Sequence, residues 1–289
     1  MAAGLVVGLA VPVDRRSVLT LMGAGLLAAC TRRDRTTRPT DQDSKDDMQT
    51  ITYGSDPSQF GELTRPTGAA RGVVVIIHGG FWRAQYDLSL GRPLVPSLVD
   101  AGWAAYNIEY RRVGDGGGWP QTFDDVAAAI DALADADGLD LSSVVTLGHS
   151  AGGHLAVWAA GRPRLAGTAW ADPAVPVTAA ISQAGVLDLT AATDADLGDG
   201  ALQALMGGQV DERYPLADPT AQIPLPVPVR CVHGTVDDVV PLSQSTDYVR
   251  RATAAGADAS LVEVDGDHFV VIDPESAAWA QTLDLLATF

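Results

Sequence analysis

The segment from Val144 to Ala156, VVTLGHSAGGHLA, constrains the fold of this chain most strongly. Its first residues favour a β-strand, its centre contains the pattern Gly-x-Ser-x-Gly, and its end favours a helix. A strand that turns tightly into a helix at this pattern predicts a nucleophile elbow, in which a strained serine is exposed at a sheet edge. The flanking strand and helix argue against a chance match. The sequence therefore predicts Ser150 as a nucleophile.

Runs of β-branched and apolar residues recur on both sides of this segment. The clearest is VVVII, a continuous run that is typical of a strand covered on both faces. Helical patterns separate these runs, and such alternation predicts an α/β fold with a mostly parallel sheet and helices on both faces. Two weaker runs are expected to add an antiparallel edge. The strong runs lie at 73–77, 103–108, 144–147, 179–182, 227–232 and 260–264, and the weak ones near 50–53 and 62–65.

One helix and one insertion stand out in this pattern. Phe123, Val126, Ile130 and Leu133 recur at spacings of three and four residues, which predicts a helix with a single apolar stripe. Its N-terminus is expected at Thr122, because acidic residues follow directly in the first turn. Residues 187–224 break the alternation with Asp, Gly and Pro and short helical pieces. They are expected to form a small cap over a site.

The N-terminal residues resemble a targeting signal. Arg15 and Arg16 precede a short apolar run, as in a twin-arginine export signal, and the run ends in LAAC, which resembles a bacterial lipobox with Cys30 as the lipidated residue. The alternative is a buried N-terminal helix with a chance cysteine. We expect an export signal at 1–30, a flexible linker at 31–48 and a folded domain at 49–289. The protein is then exported, by a twin-arginine route, and lipid-anchored on the outer face of the bacterial cytoplasmic membrane.

Charge and motif content exclude several functions. The formal net charge is −17, so the basic footprint of a nucleic-acid-binding protein is absent. The sequence has neither a His-Glu-x-x-His motif nor paired Cys-x-x-Cys motifs, and no metal site is expected. We expect no nucleic-acid partner, and membrane contact only through the anchor at Cys30.

A serine nucleophile needs a base, and the base needs an acid that orients it. The chain has five histidines, and only His233 and His268 follow Ser150 at a distance. Asp237 precedes His268 with one helix and one strand between them, so both residues are expected in strand-end loops at the same sheet edge. The sequence therefore predicts His268 as the base and Asp237 as the acid. His233 is expected to shape the loop of the acid.

A glycine-rich turn, His78-Gly-Gly-Phe-Trp82, follows the VVVII run. Backbone N–H groups that are held in place stabilise the oxyanion of an acyl-transfer intermediate. Glycine lets such groups point inward without obstruction. Gly80 and Phe81, together with Ala151 after the nucleophile, are the predicted oxyanion donors.

These elements, in this order, resemble the α/β-hydrolase family in its esterase and lipase branch. The segments HGGFW and GHSAGGHLA are especially similar to BD-FAE-like (feruloyl/acetyl esterase-like) and kynurenine formamidase-like hydrolases. The resemblance implies an α/β-hydrolase fold over about residues 50–289, and the roles predicted above for Ser150, Asp237 and His268. The family's third loop glycine is Phe81 here. The NIEYR segment that begins at Asn107 also resembles a family segment and is expected to be structural.

The expected activity is hydrolysis of carboxylic esters through an acyl-enzyme, without a cofactor. The substrate is expected to be a small-molecule or polymer-linked ester, and Trp82, Tyr86 and Trp119 are candidates to line an acyl or aryl pocket; ordinary packing is the alternative for all three. An arylformamidase and a serine peptidase remain open as alternatives. So does a non-catalytic, lipid-anchored binding protein on a hydrolase scaffold.

Overall fold

The computed structural model describes residues 48–208 and 211–289. An eight-stranded sheet runs through this part of the chain in the order β1-β2-β4-β3-β5-β6-β7-β8. The strands are β1 (Met48–Thr52), β2 (Phe60–Thr64), β3 (Val73–Ile77), β4 (Ala104–Ile108), β5 (Val144–His149), β6 (Ala179–Gln183), β7 (Val229–Gly234) and β8 (Ala259–Val264).

The sheet confirms the predicted fold class and its edge. Strands β3 to β8 are parallel to one another, while β1 and β2 pair antiparallel and join the sheet through β4. All six strong β-branched runs form strands, shifted by at most two residues from the predicted bounds. The predicted export signal, the lipidation site at Cys30 and the linker up to residue 47 lie outside the described residues.

Helices cover both faces of the sheet. They are α1 (Val95–Asp100), α2 (Gln121–Asp131), α3 (Ala151–Ala160), α4 (Leu189–Asp194), α5 (Ala201–Met206), α6 (Tyr214–Ala217), α7 (Ser243–Ala254) and α8 (Ala277–Leu286). Within the described ranges, no helix has the length and apolarity of a membrane span.

The period-2 geometry of β3 explains the two layers of core. Every residue of this strand is buried, and successive side chains point to opposite faces. Val73, Val75 and Ile77 pack in the cluster that contains residues of α2, α3 and α7. Val74 and Ile76 pack in the cluster that contains residues of α1 and α8. A continuous apolar run is therefore required, because neither face of the strand meets water.

Helix α2 has the predicted apolar stripe, and its N-terminus differs slightly from the expectation. Phe123, Val126 and Ile130 are fully buried in α2, and Leu133 is fully buried in the 3-10 turn that directly follows it, Ala132–Asp135. The helix begins at Gln121, so Thr122 lies inside the first turn. The Thr122 hydroxyl donates to a loop carbonyl at 2.7 Å and accepts from a loop amide at 3.0 Å, and it therefore fastens the preceding loop instead of capping the helix.

The insertion at 187–224 contains α4, α5 and α6. Arg83 donates hydrogen bonds to the carbonyls of Gly198 and Asp199, and the Trp119 amide donates to Leu205 O at 2.7 Å. These bonds fasten the insertion to the loop after β3 and to the segment before α2. Its function as a cap stays a prediction.

Candidate active site

Ser150 lies at the turn between β5 and α3, at the carboxyl edge of the sheet. Its φ is 55° and its ψ is −118°, a strained conformation for a residue with a side chain. The two neighbouring positions need glycine because backbone atoms pack directly against them. A Cβ on Gly148 would overlap Gly152 O, and a Cβ on Gly152 would overlap Ile77 O. The Ser150 amide donates to Gln183 O at 2.8 Å, which fastens the turn to β6. The elbow is thus built by backbone packing.

Asp237 and His268 form a buried pair. His268 Nδ1 donates to Asp237 Oδ2 at 2.7 Å, and the two side chains are 3% and 0% exposed. Asp237 Oδ1 accepts from the amides of Val239 and Val240 at 2.9 and 2.8 Å. Burial alone would raise the pKa of Asp237, but the hydrogen bonds outweigh it and hold the pKa below its ordinary value. The carboxylate therefore stays charged, which keeps the proton of His268 on Nδ1 and leaves Nε2 as an acceptor.

His233 completes the surroundings of the acid. Its Nδ1 accepts from Ser245 Oγ in α7 at 2.8 Å, while its Nε2–H is shared between Val240 O at 2.9 Å and Asp237 Oδ2 at 3.1 Å. Two imidazoles and two amides thus converge on one carboxylate. This agrees with the expectation that His233 shapes the loop of the acid.

His149 links the elbow to the base, a contact that the sequence analysis missed. His149 Nε2 donates to the backbone carbonyl of His268 at 2.9 Å, and the two rings are 4.5 Å apart. Burial, assisted by the neighbouring His268, lowers the pKa of His149 to about 3, so it is neutral at ordinary pH. In the described part of the chain, no hydrogen bond joins Ser150 Oγ to His268. Such catalytic bonds often tighten only when substrate binds.

The loop after β3 lies against the nucleophile. A Cβ on Gly79 would lie 3.2 Å from Ser150 Cβ. Gly80, Phe81 and Trp82 have φ values of 112°, 53° and 56°, so three successive residues are left-handed and two of them carry side chains. Among residues 48–208 and 211–289, the amides of Gly80 and Phe81 donate to no protein acceptor. The strained loop thus carries two N–H groups without a protein acceptor directly after Gly79, the residue that lies against the serine.

A buried polar cluster holds the start of this loop. His78 Nε2 bonds to Glu109 Oε1 at 3.0 Å, and Glu109 also accepts from Arg112 at 2.9 Å and from the Leu88 amide. Tyr110 stacks on the His78 ring at 4.4 Å and donates to His78 O at 2.8 Å. The Asn107–Arg111 segment is therefore structural, as expected, and Glu109 is its centre. The sequence signal that could have revealed the role of Glu109 is an acidic residue directly after a buried strand.

The three candidates for a pocket lining differ in how far they are buried. Trp82 is 1% exposed and its indole N–H donates to His154 Nδ1 at 3.2 Å, which favours ordinary packing in the core, the alternative given for it, over a place in a pocket lining. His154 Nε2 donates in turn to Ala217 O of the insertion at 2.9 Å. Tyr86 is 38% exposed and lies over Gly80, while Trp119 is half-buried against other aromatic rings.

The fold and the elbow serine define the class of this protein: it is an α/β-hydrolase. Residues 63–251, from β2 into α7, match the BD-FAE family, and the chain belongs to that family. The match includes Ser150 and Asp237 and ends before His268.

Named relatives and solved structures agree with this class. The chain is 27% identical over 228 residues to esterase LipC of Mycobacterium tuberculosis. The alignment covers 71% of this chain and 54% of LipC, so the chain spans about half the length of that relative. A truncated carbohydrate esterase from gut microbiota is 22% identical with a TM-score of 0.70, covering 83% of this chain and 95% of the other. Esterase Est2 of Thermogutta terrifontis, bound to butyrate, is 22% identical with a TM-score of 0.69, covering 84% and 93%.

Proposed function

We propose that this protein is a serine esterase that hydrolyses carboxylic esters through an acyl-enzyme intermediate. The observation that carries the proposal is the 2.7 Å hydrogen bond from His268 to a buried, charged Asp237, at the sheet edge where the elbow presents Ser150. A carboxylate, an imidazole with a free nitrogen and a strained serine are the three groups that nucleophilic acyl transfer requires.

The reaction follows from these groups. His268 Nε2 removes the Ser150 proton as Ser150 Oγ attacks the ester carbonyl, and Asp237 stabilises the imidazolium that forms. The amides of Gly80, Phe81 and Ala151 donate to the oxyanion. The alcohol then leaves with the proton from His268. In the second half of the reaction, water takes the place of the alcohol: His268 removes a proton from water as the water attacks the acyl-enzyme. The bond between the acyl group and Ser150 Oγ then breaks, which releases the acid and restores Ser150.

The relatives support an ester as the substrate. LipC and Est2 are both named esterases, and Est2 was solved with butyrate. We therefore propose a small-molecule or polymer-linked ester as the substrate class. The esterase family and the intact Ser150, Asp237 and His268 favour this over a binding protein on the same scaffold.

A fluorophosphonate probe tests the proposal directly, because it reacts much faster with an activated serine than with an ordinary hydroxyl group. Wild-type protein should be labelled, with the adduct on Ser150 by peptide mass spectrometry, and the Ser150→Ala variant should not. Hydrolysis of p-nitrophenyl esters of rising chain length, with N-formylkynurenine as the formamide comparison, then ranks the substrates. An unlabelled wild-type protein with no ester turnover would overturn the proposal, and faster turnover of N-formylkynurenine would favour the arylformamidase alternative.

A further inference from the structure

Two exposed apolar side chains lie next in sequence to the proposed acid and base at the carboxyl edge of the sheet. The large apolar residues that ranges 48–208 and 211–289 leave exposed are Met48, Tyr86, Leu90, Val236 and Phe269. Val236 is 68% exposed and directly precedes Asp237, and Phe269 is 58% exposed and directly follows His268. Exposed apolar side chains that cluster at a site, rather than scatter singly, indicate a binding surface.

The two loops that carry these side chains are held together by hydrogen bonds. The Val236 amide donates to Gly266 O at 3.1 Å, and the preceding amide of Thr235 donates to Val264 O at 2.8 Å. Asp267 Oδ1 accepts from the Phe269 amide at 3.0 Å, which fixes the turn after the base. The exposure of Val236 and Phe269 therefore belongs to an ordered surface.

The Phe269 ring is placed against the imidazoles. Its centroid lies 5.2 Å from the His268 ring, nearly perpendicular to it, and 6.0 Å from the His149 ring. Since Asp237 occupies Nδ1 of His268, the proton for the departing alcohol has to come from Nε2. The alcohol half of the ester must then lie beside His268, where exposed apolar surface is available.

We propose that Phe269 and Val236 form the subsite for the leaving alcohol, and that this subsite favours esters of apolar, alkyl or aryl alcohols. The inference rests on the proposed esterase function and specifies which half of the substrate these residues contact. Asp238, Asp265 and Asp267 are exposed on the same two loops, so an anionic alcohol is disfavoured.

A series of acetates tests the subsite, because the acyl group is constant and only the alcohol changes. The kcat/KM values of ethyl, butyl and hexyl acetate should rise by about twofold for each added methylene. This rise corresponds to about half of the free energy that complete burial of a CH₂ group would give. Glycerol monoacetate should fall well below butyl acetate. In Phe269→Ala the rise per methylene should nearly disappear, with hexyl acetate losing about tenfold, and Phe269→Leu should retain part of the rise.

The control is Met48→Ala, which removes an exposed apolar side chain of similar size. Met48 pairs with Thr64 in β2, which pairs with Ala105 near the start of β4, so it lies toward the opposite edge of the sheet from Ser150. Its alcohol series should match wild type. Partitioning of the acyl-enzyme gives a second readout: added hexanol should capture the acyl group from wild type more efficiently than from Phe269→Ala, since alcohol attack is the reverse of alcohol departure.

The outcomes separate the two proposals. If wild type is labelled at Ser150 and hydrolyses esters, but Phe269→Ala keeps the same rise per methylene and the same hexanol capture, the subsite is overturned and the esterase function stands. If wild type is neither labelled nor active on any acetate, both proposals fail. Circular dichroism of each variant checks that it is folded.

Discussion

The adjacent acids Asp237 and Asp238 allow a sharp test of the site. Asp237 has a side chain without exposed surface and accepts four hydrogen bonds, from two imidazoles and two amides, whereas Asp238 is exposed. Changing either residue to Asn alters one group by one charge at nearly constant volume. We expect a large loss of activity from the change at Asp237 and a small one from the change at Asp238.

In Asp237→Asn, one acceptor oxygen becomes an NH₂ donor. Placing it toward the amides of Val239 and Val240 would oppose two fixed backbone donors, so it is expected to face His268 and His233 instead. His268 must then accept at Nδ1 and carry its proton on Nε2, a tautomer that cannot take the proton of Ser150. Together with the lost charge, this is expected to lower kcat by about 10⁴, or about 5.5 kcal/mol in the barrier, as in serine triads on other folds.

In Asp238→Asn, no contact to the imidazoles changes, and kcat should fall by less than about tenfold, under about 1.4 kcal/mol. The assay is p-nitrophenyl acetate hydrolysis at saturating substrate, after circular dichroism shows that both variants are folded. A larger loss in Asp238→Asn than in Asp237→Asn would refute the assignment of the acid. If neither change matters, the acid lies elsewhere, and Asp265 and Asp267 beside the base would be tested next.

Four further changes test other parts of the molecule. Ser150→Ala should lower kcat by about 10⁴ to 10⁶ while the circular dichroism spectrum is unchanged, and activity within tenfold of wild type would contradict its role as the nucleophile. Cys30→Ala should release the protein from the membrane fraction of a bacterial host, and full retention there would contradict the lipid anchor. Burial raises the pKa of Asp218 to about 7, so the native state binds this proton more tightly than the unfolded chain does, and the contribution of this carboxyl to the free energy of unfolding falls as the pH rises from about 4 to about 7. Asp218→Asn should therefore stabilise the protein more at pH 8 than at pH 5 in urea unfolding, and an equal effect at both pH values would contradict this. His154→Phe should lower the free energy of unfolding by about 2–4 kcal/mol, because it leaves the Trp82 indole N–H and a carbonyl of the insertion buried without partners; a loss below about 1 kcal/mol would show that these groups find other partners.

Local patterns in the sequence were sufficient for the fold and for the identity of the elbow. A β-branched run such as 73–77 is typical of a strand that is covered on both faces in a parallel sheet, and each such run forms a strand. Gly148 and Gly152 mark a turn in which any side chain would overlap backbone. Both signals depend on neighbours that are close in sequence or on the general geometry of a sheet, so they can be interpreted without coordinates.

The sequence predicted Asp237 and His268 as partners only through chain order and the resemblance to known hydrolases. Burial of the Asp237 side chain and exposure of Asp238 are properties of one turn, stabilised by amides of Val239 and Val240 and by His233. Propensity alone cannot tell two neighbouring aspartates apart. The tertiary structure distinguishes them, because only one carboxylate can satisfy the donors that converge there.

Other features depended entirely on long-range contacts. Trp82, a pocket candidate by its position after the glycine turn, is buried in the core with a left-handed backbone and an indole N–H that donates to His154. The bond from His149 to the His268 carbonyl joins residues 119 positions apart. A sequence specifies strands, helices and tight turns through local sterics and periodicity, whereas the pairing of buried polar groups follows from which strand ends meet. The sequence by itself therefore determined the architecture and the chemistry-bearing residue types, and the tertiary structure alone decided how those residues are oriented and held.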